Sequence, residues 1–138
     1  MKVSTRGRYA LRMMVDLASH AEGACVSLKD VAVRQEISAK YLEQIAGVLM
    51  KAGLLQSVRG AQGGYRLVRP ACEYTAGEVL RALEGTLAPT ACLAREKIDC
   101  ERANICMMLP FWEGLNHIII DYVDGITLQD IADGKKFV

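Results

Sequence analysis

From Thr5 to about Ser19 the apolar residues Tyr9, Ala10, Met13, Met14, Leu17 and Ala18 return at three- and four-residue steps. That spacing predicts a helix with one buried face. Ser4 or Thr5 is placed to cap its start, and Gly23 falls in the turn beyond it. Ser27-Leu28-Lys29-Asp30 has the form of a capping box, opening a short helix that runs to about Glu36. Ile37-Ser38 interrupts the pattern, and Ser38 can cap a further helix, Ala39 to Ala52, with Leu42, Ile45, Ala46 and Leu49 facing inward and Gly53 beyond its end. Two short helices joined by a tight turn make a helix-turn-helix.

The period then changes. Leu54 to Val58 and Tyr65 to Val68 read as strands around Arg59-Gly60-Ala61-Gln62-Gly63-Gly64, whose three glycines permit a tight turn. A hairpin in that position is a wing. After Pro70, Thr75-Ala76-Gly77-Glu78 is a second capping box and opens a helix to about Glu84. Residues 85 to 105 have no periodicity and are expected to be a loop. Leu109, Phe111, Trp112, Leu115, Ile118, Ile119 and Tyr122 then form an apolar stripe over about four turns, with Pro110 tolerated only in the first turn. Asp124-Gly125 ends that helix, and Thr127 to Asp130 caps a last short one. The fold expected is mainly α with a small β-hairpin. Residues 1–84 would be the winged helix-turn-helix with its following helix, 85–108 a cysteine-bearing loop, and 109–138 a long C-terminal dimerisation helix with a short final helix.

Length allows one ordinary core and no second one. No stretch approaches the roughly 20 apolar residues of a membrane span, so a cytoplasmic protein is expected, and five cysteines in that setting read as thiols or metal ligands. The net charge of +1 hides a division: residues 1–70 carry 11 Lys and Arg against 5 Asp and Glu, whereas 71–138 carry 6 against 11. Only the first half is suited to a polyanion, and double-stranded DNA is the candidate. Lys40, Tyr41, Glu43 and Gln44 lie near the start of the second motif helix, where major-groove contacts are made. Gln pairs with adenine and Glu accepts from cytosine. Arg59 at the wing suits a minor groove, and Lys2, Arg6, Arg8, Lys51 and Arg66 suit phosphates.

The stripe through Phe111, Trp112, Leu115, Ile118, Ile119 and Tyr122 is more apolar surface than a lone projecting helix would show to water, so it is expected to meet a second copy or to fold back on its own core. Cys92, Cys100 and Cys106 follow a C-x7-C-x5-C spacing. Thiolates hold iron–sulfur clusters and zinc, but this spacing demands neither, and small buried hydrophobes are the alternative. Cys25 and Cys72 lie apart from these and read as structural, Met107-Met108 as packing, His117 as a solvated or interface residue, and His20 as a partner of its helix C-terminus. No Cys/His nucleophile pair is identifiable, so an enzyme is not expected.

Three segments in this order, Ser4-Thr5-Arg6-Gly7-Arg8-Tyr9, Ser38-Ala39-Lys40-Tyr41-Leu42-Glu43-Gln44 and Arg59-Gly60-Ala61-Gln62-Gly63-Gly64-Tyr65, resemble the family that contains IscR, NsrR, RirA and CymR. The resemblance covers nearly the whole chain. It implies a homodimeric repressor or activator, joined through the long C-terminal helix, on a palindromic operator, with DNA contacts from Ser38 to Gln44 and Arg59. Cluster-bearing members carry three cysteines in this region, which implies a 4Fe–4S or 2Fe–2S cluster at Cys92, Cys100 and Cys106 that senses iron, oxygen or nitric oxide. The chain departs from the IscR type, which places a histidine three residues after the last cysteine; Leu109 stands there. The wide first spacing resembles the RirA type. NsrR-type proteins can use an acidic residue near the N-terminus, where this chain has Arg8, so no fourth ligand is assigned. CymR-type members imply the alternative, a cluster-free regulator controlled by a partner protein.

Overall fold

The structure is a computed structural model that describes residues 2–20 and 24–138; Met1 and the turn position Gly23 lie outside the described residues. Helices α1 (Thr5–His20), α2 (Leu28–Gln35) and α3 (Ala39–Lys51) precede a hairpin of β1 (Leu55–Val58) and β2 (Gly64–Leu67). Helices α4 (Ala76–Glu84), α5 (Leu109–Asp124) and α6 (Leu128–Ala132) complete the chain, with single 3-10 turns at Ala71–Glu73 and Ala91–Leu93. The expected elements are present, with ends within a residue or two of their sequence positions.

The helix starts follow from side-chain oxygens that accept backbone N–H groups with no partner inside the helix. Ser27 accepts from Asp30 at 3.2 Å, Ser38 from Tyr41 at 3.1 Å and Thr75 from Glu78 at 3.1 Å. Only Thr127 completes the reciprocal box, its own N–H donating to Asp130. At Thr75 the expected return from Glu78 does not form, because that carboxylate is taken by Arg69 at 2.6 Å. The turn between α2 and α3 is made at Glu36, in left-handed conformation at φ 54.

Met13, Met14, Leu17, Val31, Leu42, Ile45 and Leu49 from the first three helices form one core with Tyr74, Val79 and Leu128. The C-terminal α6 thus shares a core with the helix-turn-helix. Its entry is held by Leu128 N–H donating to Tyr74 C=O and Ala76 N–H donating to Ile126 C=O, at 3.0 and 2.8 Å. The hairpin pairs Leu55 with Leu67 and Val58 with Gly64. Its inner strand is fixed to the segment before α2 by two hydrogen bonds between Val26 and Tyr65, at 2.9 and 2.8 Å. Gly64, at φ 152, permits this approach: a Cβ there would run into the Val26 carbonyl oxygen.

Tyr74 closes the base of the wing. Its hydroxyl donates to Leu54 C=O at 2.8 Å and accepts from Val68 N–H at 2.8 Å and Arg69 N–H at 3.2 Å, while Arg69 stacks over its ring at 4.3 Å.

Candidate nucleic-acid interface and cysteine segment

Helix α3 turns Leu42, Ile45, Ala46 and Leu49 into the core, which leaves Ser38, Lys40, Glu43, Gln44 and Lys51 exposed. Because Ser38 uses its oxygen as a cap, its O–H stays available as a donor. The side chains of Lys40, Glu43 and Gln44 make no hydrogen bond or ion pair among the described residues. Tyr41 differs from them. Half-buried, it meets the Tyr9 ring edge-on at 5.7 Å, and Arg12 covers Tyr9 at 5.3 Å, so one side of Tyr41 is committed to α1.

Arg59 is exposed at the start of the wing turn and likewise unpaired. Gly63 is needed behind it, since a Cβ there would meet the Val58 carbonyl oxygen. Arg66 reaches across the hairpin to Gln56 at 3.0 Å. Lys2, Arg6 and Arg8 are exposed at the start of α1, where Arg8 holds Thr5 at 3.1 Å. Unpaired cations beside a rigid, capped helix form a surface to which an anionic polymer binds without first breaking internal ion pairs.

Sequence reasoning did not find what holds this surface in place. Asp16 is a buried carboxylate on the inner face of α1. It accepts from Arg34 Nε and Nη2 at 3.0 and 2.7 Å and from Gln35 Nε2 at 2.9 Å, clamping α1 to the first helix of the motif. Burial pushes its pKa up, yet the bonds from Arg34 and Gln35 and the charges of Arg34 and His20 outweigh that and hold it below the ordinary 3.8. His20 closes the helix end with Nδ1 at 2.9 Å from Asp16 C=O.

The segment after α4 is irregular apart from its 3-10 turn and is anchored by the buried Leu87. Cys92 is half-buried with its Sγ at 3.1 Å from Thr90 Oγ1, Cys100 is exposed and Cys106 half-buried. Among the described residues no three His, Cys, Asp or Glu side chains come together as a metal-holding group. Cys25 is half-buried and Cys72 exposed. Met107 and Met108 are exposed, not packed within the chain, because they lead into a helix whose outer side this chain leaves uncovered.

On α5 no residue is fully buried. Phe111, Ile118 and Tyr122 expose 59, 66 and 53% of their surface, against half-buried Trp112, Leu115 and Ile119. The opposite side is tied to α4 through Arg81, which donates to both oxygens of Asp124 at 2.7 and 2.8 Å. His117 is exposed and pairs with Asp121 at 3.1 Å. Among the described residues, no helix is long and apolar enough to cross a membrane.

The comparisons agree with this architecture. A model of the Rrf2 family, described as iron-dependent transcriptional regulators, matches residues 3–134. The HTH-type transcriptional regulator IscR of Vibrio vulnificus is 38% identical over 138 residues, covering 100% of this chain and 81% of its own. Among solved structures, CymR (YrzC), the global cysteine regulator of B. subtilis, is 35% identical with a TM-score of 0.81, covering 99% of each chain. T. potens IscR is 42% identical with a TM-score of 0.75 over 97% of this chain and 88% of its own. With the family match spanning nearly the full length and relatives above one-third identity on the same winged helix-turn-helix, the chain belongs to the Rrf2 family of transcriptional regulators.

Proposed function

We propose that the chain is a homodimeric regulator that binds a palindromic DNA operator through Ser38, Lys40, Tyr41, Glu43 and Gln44 on α3, through Arg59 on the wing, and through Lys2, Arg6 and Arg8 on phosphates. The observation that carries this reading is the set of exposed, unpaired polar side chains on α3 beside an unpaired wing arginine, on a scaffold whose own ion pairs lie elsewhere. The bare apolar side of α5, with Phe111, Ile118 and Tyr122, supports a second copy as its cover. Two-fold symmetry then sets two α3 helices about one DNA turn apart. Arg59→Ala is expected to weaken operator binding and to lower the slope of log K against log salt by about 0.9 if a phosphate contact is lost. Parent-like binding of both operator and random duplex would overturn the wing assignment.

Control is placed in the segment from Cys92 to Cys106. Three thiolates have the donor chemistry for an iron–sulfur cluster, and the IscR relatives favour that reading. Among the described residues the three thiols are, however, not gathered into one metal-holding group. That separation, with the likeness to CymR, supports a second reading in which a partner protein exerts control without a cluster. Anaerobic reconstitution with iron and sulfide separates the two. Bound iron, sulfide and charge-transfer absorption support the cluster. Their absence, with regulation intact after Cys92, Cys100 and Cys106 are all replaced by Ala, supports the partner.

A further inference from the structure

Glu84 is the last residue of α4, and its carboxylate lies at the start of α1, 80 positions away in the chain. Its Oε1 accepts from Ser4 N–H at 2.9 Å and from Ser4 Oγ–H at 2.6 Å. Ser4 Oγ in turn accepts from Gly7 N–H at 3.1 Å, while Ser4 C=O accepts from Arg8 N–H at 3.0 Å. A carboxylate brought from another helix therefore completes the cap of α1, whose own first turn holds no acidic residue. Gly7 is buried beneath it, and a Cβ at that position would collide with Glu84 Oε1. Glycine at position 7 is thus what lets the carboxylate come so close.

The turn that Glu84 grips is the one that carries Lys2, Arg6 and Arg8 outward. At its other contacts α4 is joined to α5 by the Arg81–Asp124 pair, and Gly85 at φ 79 follows Glu84 directly as the first residue of the cysteine-bearing segment. One short helix therefore touches the arm on its side and the cationic turn at its end.

We propose that Glu84 is a positioning residue for phosphate binding: without touching DNA, it fixes the first turn of α1 and makes the placing of Lys2, Arg6 and Arg8 depend on the attitude of α4. The inference rests on the DNA-binding reading above. It gives that reading a route by which any event that shifts α4 reaches the phosphate contacts. The sign of the effect distinguishes it from simple electrostatics. Removing a negative charge near a polyanion should by itself tighten binding, whereas releasing the turn should weaken it.

The test compares Glu84→Ala, Glu84→Gln and Ser4→Ala with the parent, using the full chain, operator and random duplexes, a salt series and amide hydrogen exchange. Loss of one ordered phosphate contact lowers affinity about eight-fold at 0.1 M salt and the salt slope by about 0.9. Glu84→Ala is expected to show that loss on both duplexes alike, with faster exchange at Gly7 and Arg8. Glu84→Gln keeps one acceptor and should fall between, and the Glu84→Ala/Ser4→Ala double variant should be little worse than either single variant. Binding that is unchanged or tighter in Glu84→Ala, or a lowered melting temperature with an unchanged salt slope, overturns the proposal. Arg59→Ala, measured alongside, separates the two claims: if it weakens binding and the Glu84 variants do not, only the role of Glu84 fails, whereas if none of them does, the DNA-binding reading fails.

Discussion

Asp16→Asn tests the clamp between α1 and the helix-turn-helix. The Asp16 side chain is 0% exposed and its partner Arg34 33% exposed. Asparagine keeps the shape but removes the charge and turns one acceptor into a donor, so Arg34 or Gln35 is left facing an N–H. Hydrogen bonds to charged groups contribute about 1.5–3 kcal/mol each. Three such bonds do not add in full, because Arg34 can regain water on its open side, and the expected cost is about 2–3 kcal/mol. For a chain of 138 residues, that lowers Tm by about 6–12 °C. Thermal unfolding followed by circular dichroism is the assay, repeated from pH 7 to pH 2. The folded pKa is lowered from 3.8, so the contribution of Asp16 is fully present above the unfolded value and is lost as pH falls through the folded one. The gap between parent and variant should therefore be constant from pH 7 to about pH 5 and narrow progressively below about pH 4. A Tm change under about 1 °C at neutral pH, or a gap that keeps its full size at pH 2, would refute the clamp; in an Arg34→Met background the same substitution should cost clearly less.

Tyr74→Phe removes one hydroxyl and leaves Leu54 C=O, Val68 N–H and Arg69 N–H short of a partner; a loss of about 2–3 kcal/mol is expected in urea unfolding, and a loss below about 0.5 kcal/mol would show that the wing base does not depend on it. Ile118→Glu places a charge at the middle of the bare α5 face, where the side chain does not support this chain's own core. Sedimentation should then report a monomer with near-parent helicity, and a persistent dimer would put the interface elsewhere.

The elements were legible because each has a local cause. Caps at Ser27, Ser38 and Thr75, the three-and-four spacing of Met13, Met14 and Leu17, and glycines at the wing all act within a few residues of where they are read. The exposed side of α3 was legible for a related reason: once Leu42, Ile45 and Leu49 are turned inward, helical geometry leaves Lys40, Glu43 and Gln44 outside. Asp16, Tyr74 and Glu84 were not legible, because each reaches a partner 18 or more positions away, Arg34, Leu54 and Ser4, and an isolated acid or tyrosine carries no periodic signal. Composition pointed the wrong way for Asp16, an acid in the basic half. Asp16 and Glu84 each neutralise or cap a site from which the basic surface is built. The cysteines show the opposite limit: spacing counted three thiols in one segment, but only backbone conformation decides whether they converge, and an aperiodic loop states no conformation. Helix α4 joins these two cases. Its sequence reads as an ordinary amphipathic helix after a cap, yet it packs on α1, α3 and α5, and its two long-range side chains, Arg81 and Glu84, point to different partners. A regulator needs some element that both its arm and its reader bias; on the role proposed for Glu84 that element is α4, a nine-residue helix whose sequence alone gave no reason to single it out.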